Sequence, residues 1–444
     1  MKKIRLMKTL AIVLTLALAF GIAAGCAPQD GGTAAPGATA PAGQAQGGDA
    51  ATPAGDSGRT SIRVGYVGPL TGPQARFTMG FENAMDRALE FMNAGGGYYM
   101  AGYGYLPVEF ILMDSGSDAA GAAEAADRLA TVENVDVLIG QWTPSHTIPV
   151  SIAAERHQIP ALVVNGPDGG WLGAGPFEWA FACLFNMELL TREFYNGWLS
   201  LDTNRRVGLV FDNSSDGVLQ SSLLIELAPE FGFEIVDPGR FPEGTTDFTA
   251  ILTQLMAEDV DILATVNGTP QLITMWEQMQ QLNFRPVSVL FNRGMHFSAD
   301  VLQLGGEFDG EGVAWSAQWA ADMPFVSSLS GQTVQELNQA HSEGTGQAPD
   351  LVVGWDWLIF DILDDVFSRI DSLEPETIRD ALAATDLPSI YGHVRFDENN
   401  LFTTPSFMGQ WLADDTWGFA AAVASAEYDP TLESVGLIPM PWTQ

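Results

Sequence analysis

The feature that most constrains this chain is an alternation, carried through twice, of short β-rich apolar runs with stretches of helical periodicity. The first series opens with Ile62-Arg63-Val64-Gly65-Tyr66-Val67 and a Gly-Pro loop through Pro73. Phe81, Met85, Ala88, Leu89 and Met92 then recur on one helical face, which stops at Asn93-Ala94-Gly95-Gly96. Further strands are expected over 108–113, 135–140 and 161–164, with helices near 119–131 and 148–156. The second series starts with a strand over 206–211. It continues through helices near 218–231, 248–257 and 272–282 and strands near 234–236, 262–266 and 287–291. Strands separated by helices pair in parallel, because each crossover returns the chain to the same end of the sheet. Two such series imply an α/β fold of two doubly wound parallel-sheet lobes, with ligand taken beyond the carboxyl ends of the strands.

The N-terminus bears on location. Lys2, Lys3, Arg5 and Lys8 precede an apolar run over 10–24 that is too short, and wrongly flanked, for an ordinary spanning helix. It ends in Ala23-Ala24-Gly25-Cys26, small residues directly before a cysteine, which resembles the bacterial lipoprotein signal. The expectation is a signal peptide over 1–25, lipid on Cys26, and an extracytoplasmic protein anchored to the bacterial cell membrane. A plain secreted protein cut elsewhere is the alternative. Residues 26–60 are Gly, Ala, Pro, Gln and Asp with almost no large apolar side chain, a composition that suits a flexible tether. Gly55-Asp56-Ser57-Gly58 matches a serine-protease nucleophile motif only by coincidence, since such a tether holds no packed histidine to activate the serine.

All three lysines lie within the first eight residues, so the chain beyond Cys26 carries 15 arginines against 55 acids, about −40 in formal charge. Such a balance argues against binding nucleic acid or anionic lipid through a basic patch, and it leaves no lysine for catalysis. Charge spread along the whole chain reads first as a hydrated acidic surface suited to salty surroundings, with a cationic ligand as the sharper alternative. Stability should therefore rise with salt, because ions screen like charges over ~8–10 Å at about 0.1–0.15 M. A melting temperature followed from low to molar sodium chloride is expected to climb; a steady fall would contradict the charge argument. Once Cys26 carries lipid, only Cys183 remains, within Phe181-Ala182-Cys183-Leu184-Phe185, so no intramolecular disulfide is possible and a buried, inert thiol is expected.

Ten short elements follow one another in a telling order. They begin with Val67-Gly68-Pro69-Leu70-Thr71-Gly72, the helix end Phe91-Met92-Asn93-Ala94-Gly95-Gly96, and Asp114 before an Ala-rich acidic helix. Val137-Leu138-Ile139-Gly140 with Ser145, Ile159-Pro160, and Phe211-Asp212-Asn213-Ser214-Ser215-Asp216-Gly217 come next. Gly244-Thr245-Thr246-Asp247-Phe248, Glu311-Gly312-Val313, Trp355-Asp356 and Gly392-His393-Val394-Arg395-Phe396-Asp397 complete the series. Each is weak alone, but in this order they resemble the branched-chain amino acid-binding type of ABC-transporter solute-binding protein, a type I periplasmic-binding fold, over about 62–412. The resemblance implies three hinge crossings, near Cys183, Val313 and Phe396. Lobe 1 would then hold 61–182 and 314–396, and lobe 2 would hold 183–313 and 397–444. It further implies a monomer with no cofactor, a small-molecule ligand, and the permease subunits of a transporter as partner.

By the same resemblance, these first-lobe segments meet the ligand. Phe77 falls where relatives place a covering aromatic, with a core residue at a helix start as the alternative. Trp142, Thr143 and Ser145 follow the strand ending at Gly140, where hydroxyls and backbone N–H groups take a carboxylate. Asn165, Gly166 and Asp168 follow the next strand, though this loop lacks the threonine found in amino acid-binding relatives. In the second lobe Asp216 replaces a familiar tyrosine and either pairs with a ligand ammonium or caps a helix. Asn267 and Arg293 follow later strands; Arg293 either takes an acid group or forms an ion pair within the protein. Trp315 and Trp355 read as core.

Enzyme readings find little support. Histidines 146, 157, 296, 341 and 393 are scattered without metal-ligand spacing, so no metal site is expected, and neither a Gly-x-Ser-x-Gly elbow nor a Walker loop occurs. The function expected is capture of a small polar solute, amino acid or amide-like, by hinge closure for a transporter. A ligand sensor signalling to a partner and a secreted hydrolase are the alternatives.

Overall fold

The computed structural model describes residues 58–306 and 310–443. The expected signal peptide, Cys26 and most of the tether lie outside the described residues. The chain begins with β1 (Ile62–Gly68), α1 (Phe81–Met92), a hairpin of β2 (Tyr98–Met100) and β3 (Gly104–Leu106), and β4 (Val108–Asp114). It continues through α2 (Ala119–Arg128), β5 (Val137–Gln141), α3 (Thr143–His157), β6 (Ala161–Pro167), α4 (Asp168–Ala174) and β7 (Ala180–Phe185). The second series holds α5 (Met187–Leu199), β8 (Arg206–Asp212), α6 (Ser215–Phe231), β9 (Glu234–Val236), β10 (Arg240–Phe241) and α7 (Thr249–Ala257). Next come β11 (Ile262–Val266), α8 (Thr269–Leu282), β12 (Ser288–Phe291), α9 (Ser298–Val301) and β13 (Ala314–Ala317). The chain ends through α10 (Val334–Thr345), α11 (Val352–Arg369), α12 (Pro375–Ala383), β14 (Asp386–Ser389), β15 (Gly392–Arg395), β16 (Leu401–Thr403), β17 (Phe407–Asp414) and β18 (Gly418–Ser425).

Two large sheets result, beside the two-stranded pairs β2–β3 and β14–β15. The first is parallel throughout, in the order β16-β7-β6-β5-β1-β4. The second runs β10-β8-β11-β12-β13-β17-β18, with β9 also paired in parallel to β8; it is parallel as far as β13 and antiparallel over its last two pairings. The last pairing is a hairpin, since β17 and β18 are joined by a tight turn and need no crossover helix. The sheets place Ala314–Ala317 in the second sheet and Leu401–Thr403 in the first, each a few residues beyond the crossings expected near Val313 and Phe396.

Strands buried on both faces need helices on both sides, and the apolar faces supply them. Ala122, Ala125 and Ala126 of α2 and Val150 and Ala153 of α3 cover one face of the first sheet with Leu138, Ala161 and Val163. The other face takes Ala84 and Ala88 of α1 together with α11. Leu190, Phe194 and Trp198 of α5 pack with Leu224 and Leu227 of α6 over Val207 and Leu209 of the second sheet.

Almost all of α11 is buried, including Trp355. Its two inward carboxylates tie it to a strand end and to surrounding loops. Asp356 accepts from the Gln141 side chain at 2.8 Å. Asp361 accepts from the Ser327 hydroxyl at 2.6 Å and from the backbone N–H groups of Leu329 and Ile390 at 3.1 and 2.9 Å. Burial pushes the Asp361 carboxyl up to about 6 against the pull of those donors.

Candidate functional site

The loops that leave the strands at their carboxyl ends meet between the two sheets. In the first lobe, Asp114 accepts from the backbone N–H and the hydroxyl of Thr71 at 3.0 and 2.5 Å, which fixes the course of the loop after β1. That loop carries Arg76 and Phe77 on one short helical turn, Ala75–Thr78. Beyond β5, Trp142 and Thr143 have φ of +69° and +34°, conformations that side-chain-bearing residues seldom adopt. The Trp142 N–H donates to the Val164 carbonyl at 3.0 Å, holding this corner so that α3 starts directly at the strand end. Thr143 Oγ1 lies 2.7 Å from Ser145 Oγ, 3.0 Å from His146 Nδ1 and 3.4 Å from Gln74 Oε1, a hydroxyl cluster at a helix N-terminus. Burial lowers the His146 pKa, and its Nε2 has no protein partner.

Near the end of β6, Asn165 (φ +63°) and Gly166 (φ +143°) form a break in register with β7, after which Asp168 opens α4. Asp168 is buried and accepts from the Asn186 side chain at 2.7 Å. Burial raises its pKa, and the Asn186 contact opposes the rise.

In the second lobe Arg293 donates to Asp212 and, at 3.1 Å, to the Ser214 hydroxyl, while Asp216 lies 3.6 Å from it. Asp212 is almost fully buried, so this pairing settles most of the guanidinium charge inside the lobe. Gln220 donates to Asp216 at 3.3 Å, and burial raises the Asp216 pKa against the field of Arg293. Asn267 is buried and donates to the Val210 carbonyl at 3.2 Å, tying the end of β11 to β8. Asn292 donates to Gln220 and leaves its own Oδ1 without a partner. Burial pushes His296 down to about 4, with Arg293 adding to the effect, and its Nδ1 is likewise unpartnered.

The lobes touch through the residues that follow. The Phe77 ring lies 5.1 Å from Trp142 on its own side, and 5.5 and 6.3 Å from Phe297 and His296 across the gap. The Arg76 guanidinium sits 4.5 Å above the Phe297 ring and reaches Asp300 at 2.5 Å. Asp350, in the loop leading to α11, accepts from the Ser298 N–H at 3.2 Å. Burial pushes the Asp350 carboxyl up to about 7, although Ser298 and Arg76 pull against it.

Phe77, Trp142, Thr143 and Ser145 thus share one corner of the first lobe, with Phe77 facing the second lobe. Asp216 and Arg293 are brought together with each other, and the Arg293 ion pair lies within the second lobe. Asn267 and Asp168 each make one side-chain hydrogen bond to a neighbouring protein group. Trp315 and Trp355 are buried core residues, as their sequence context suggests. Sequence reasoning passed over Gln74, Arg76, His296, Phe297 and Asp300. Arg76 adjoins Phe77, and His296 and Phe297 lie only three and four residues beyond Arg293. Following each post-strand loop further would have reached them. Among the described residues no group of three or more His, Cys, Asp or Glu is placed to hold a metal ion, and no helix is long and apolar enough to cross a membrane.

Residues 61–416 match the family model described as periplasmic binding protein. A Leu/Ile/Val-binding protein homolog 8 from Brucella abortus is 20% identical over 372 residues, covering 79% of this chain and 88% of that protein. The branched-chain amino acid transporter substrate binding protein LivJ from Streptococcus pneumoniae, solved with isoleucine, superposes with a TM-score of 0.68 at 19% identity, over 82% of this chain and 100% of its own. A solute binding protein of an ABC transporter from Rhodopseudomonas palustris, solved with 4-hydroxybenzoate, gives 0.66 at 16% identity, over 82% and 96%.

Proposed function

Given that the chain belongs to the periplasmic binding protein family, as an extracytoplasmic solute-binding protein rather than an enzyme, we propose that it is the lipid-anchored receptor of an ABC transporter. On this reading it captures a small polar ligand, an amino acid or an amide-like solute, between lobes divided near residues 183, 313 and 396, and acts as a monomer. The supporting observation is the facing of the Thr143–Ser145 hydroxyl corner and Phe77 by second-lobe Phe297 and His296. Contacts of that kind exist only when the lobes are together, so a ligand that adds to them shifts the chain toward closure.

The acid or carbonyl end of the ligand is assigned to Ser145 and Thr143 at the N-terminus of α3, where the helix dipole and free N–H groups favour negative charge. Isoleucine and 4-hydroxybenzoate, named for the two structural relatives, share a carboxylate, which supports this assignment. Trp142, Asn165 and Gly166 shape the wall, and Asp168 or Asp216 takes an amino end, with Asn267 and Arg293 holding the second-lobe wall. A micromolar complex needs about 8 kcal/mol, and hydrogen bonds to charged groups contribute roughly 1.5–3 each. Calorimetry with an amino acid and amide panel on the wild type, Asp168→Asn and Asp216→Asn tests the reading. Micromolar binding is expected, weakened by ~2–5 kcal/mol when the carboxylate that anchors the ligand is lost. If no panel member binds and native mass spectrometry finds no carried solute, the reading is wrong.

Anchoring has its own test. Cys26→Ser should move the protein from the membrane to the soluble fraction, since stable attachment requires the acyl chains. Membrane retention equal to wild type would refute lipidation at Cys26.

A further inference from the structure

A small cavity adjoins segment 295–298, whose His296 and Met295 touch its walls through Trp315 and Trp411. Its walls are unusually aromatic: Trp315 of β13, Trp411 of β17, Trp417 and Phe419 at the β17–β18 turn and the start of β18, and Trp319, with Asp350 beside them. The cavity holds about 40 Å³. Trp315 and Trp411 are stacked at 5.2 Å, and the Trp411 indole N–H donates to the Met295 carbonyl at 3.0 Å, which fixes the panel. The His296 ring, 5.7 Å from Trp315 and 6.3 Å from Phe77, links this panel to the corner described above. Asp350 belongs to the first-lobe side, because it leads into α11, which packs on α1. An occupant therefore touches both lobes.

We propose that this cavity receives the methylated ammonium group of a small solute. The inference rests on the solute-binding reading and names the chemical class of one ligand group. Aromatic faces attract a cation through their quadrupoles, most strongly when the cation is desolvated, and several faces around one point are the known means of recognising quaternary ammonium. Asp350 supplies a carboxylate among lining side chains that are otherwise apolar or aromatic. A bare ammonium would bring three N–H donors to a lining whose side chains offer it one carboxylate. A quaternary group has no N–H to leave unsatisfied, and its methyl groups suit the indole walls. The charge of the chain, 15 arginines against 55 acids beyond Cys26, favours a cation at every stage of approach.

The test uses the whole mature protein and needs no variant at first. Calorimetry and tryptophan fluorescence are measured with tetramethylammonium, choline and 3,3-dimethylbutan-1-ol, the uncharged isostere of choline, beside the amino acid and amide panel. Choline and tetramethylammonium are expected to bind and to perturb tryptophan emission, with the isostere at least tenfold weaker. Asp350→Asn, which still accepts from Ser298, should weaken choline at least tenfold. Trp417→Ala should do the same, and Trp417→Phe, which restores a ring face, should recover most of the loss. Equal binding of choline and its isostere, or indifference to both Asp350→Asn and Trp417→Ala, overturns the proposal. If the amino acid and amide panel binds while the methylated cations do not, this inference falls and the solute-binding reading stands. If nothing binds, both fall.

Discussion

Replacing Arg293 with alanine should cost about 3–5 kcal/mol of stability, because it strands a buried carboxylate. Asp212 ends β8 at 2% exposure, and its carboxylate faces the Arg293 guanidinium. Its remaining polar contacts are the backbone N–H of Ser214 at 3.2 Å and the Ser214 hydroxyl at 2.5 Å. Two neutral donors do not replace a guanidinium for a carboxylate out of water, so the folded state of the variant carries an unpaired charge. Asp216 adds to the cost, since it also loses the one cation shown near it. The companion variant Asp212→Asn/Arg293→Gln removes both charges and should recover most of the deficit, as neutral pairs do in place of ionic ones. Urea denaturation of the three proteins decides the matter. A loss below about 1 kcal/mol in Arg293→Ala would show that the pair contributes no more than a surface salt bridge.

Arg76→Ala should act on closure instead of folding. Arg76 stands on the first lobe, Asp300 on the second, and the Asp300 side chain is 7% exposed while the lobes are together. Without Arg76 the closed form buries Asp300 unpaired and close to Asp350, while an opened form lets water reach both. The penalty falls on one state alone, so the population moves toward the open form and apparent affinity drops with it. A bias of about 3 kcal/mol corresponds to roughly 100-fold weaker binding. Small-angle scattering should show a larger radius of gyration, with little change in the urea midpoint.

The sign of the pH dependence follows from the raised carboxyls. Burial raises the pKa of Asp300 and carries Asp350 to about 7, so the penalty is full above those values. It is relieved as pH falls and the groups take up protons. The affinity gap between Arg76→Ala and wild type should therefore be wider at pH 8 than at pH 5, and Asp300→Asn in the same chain should close it. A gap that widens on acidification would contradict the assignment of Asp300 as the stranded charge.

The sheets were legible because their strands are short, apolar and bounded by turn residues. Expected segments over 62–67, 206–211, 234–236 and 262–266 match β1, β8, β9 and β11 within a residue. Helix starts were less so. The helix expected from 148 begins at Thr143, because Pro144 is tolerated in the first turn and the apolar period becomes regular only later. The Gly-rich α4 and the strands from β13 onward carry weak local signals and depend on what they pack against. For the site, residue types at strand ends were readable, but their pairing was not. No spacing tells that Arg293 turns back to Asp212 or that Asn186 reaches Asp168, since those partners lie 81 and 18 residues away. Contacts across the lobes, such as Arg76 with Asp300 at 224 residues' separation, are beyond any local pattern.

The placement of Cys183 has a practical consequence. It sits at the middle of β7 with no exposure, and its register partner on the edge side is Phe402 of the three-residue β16. Burial also pushes the thiol well above its ordinary pKa, so it cannot react from the folded sheet. Reaction must wait for β16 to peel away, and β16 is the strand laid down just before the chain crosses between the sheets for the last time. The rate of thiol labelling is then a clock for fraying of that edge, read at a single atom when Cys26 is occupied by lipid. Labelling timed with and without solute measures, in seconds of protection, how firmly a captured molecule ties down the hinge.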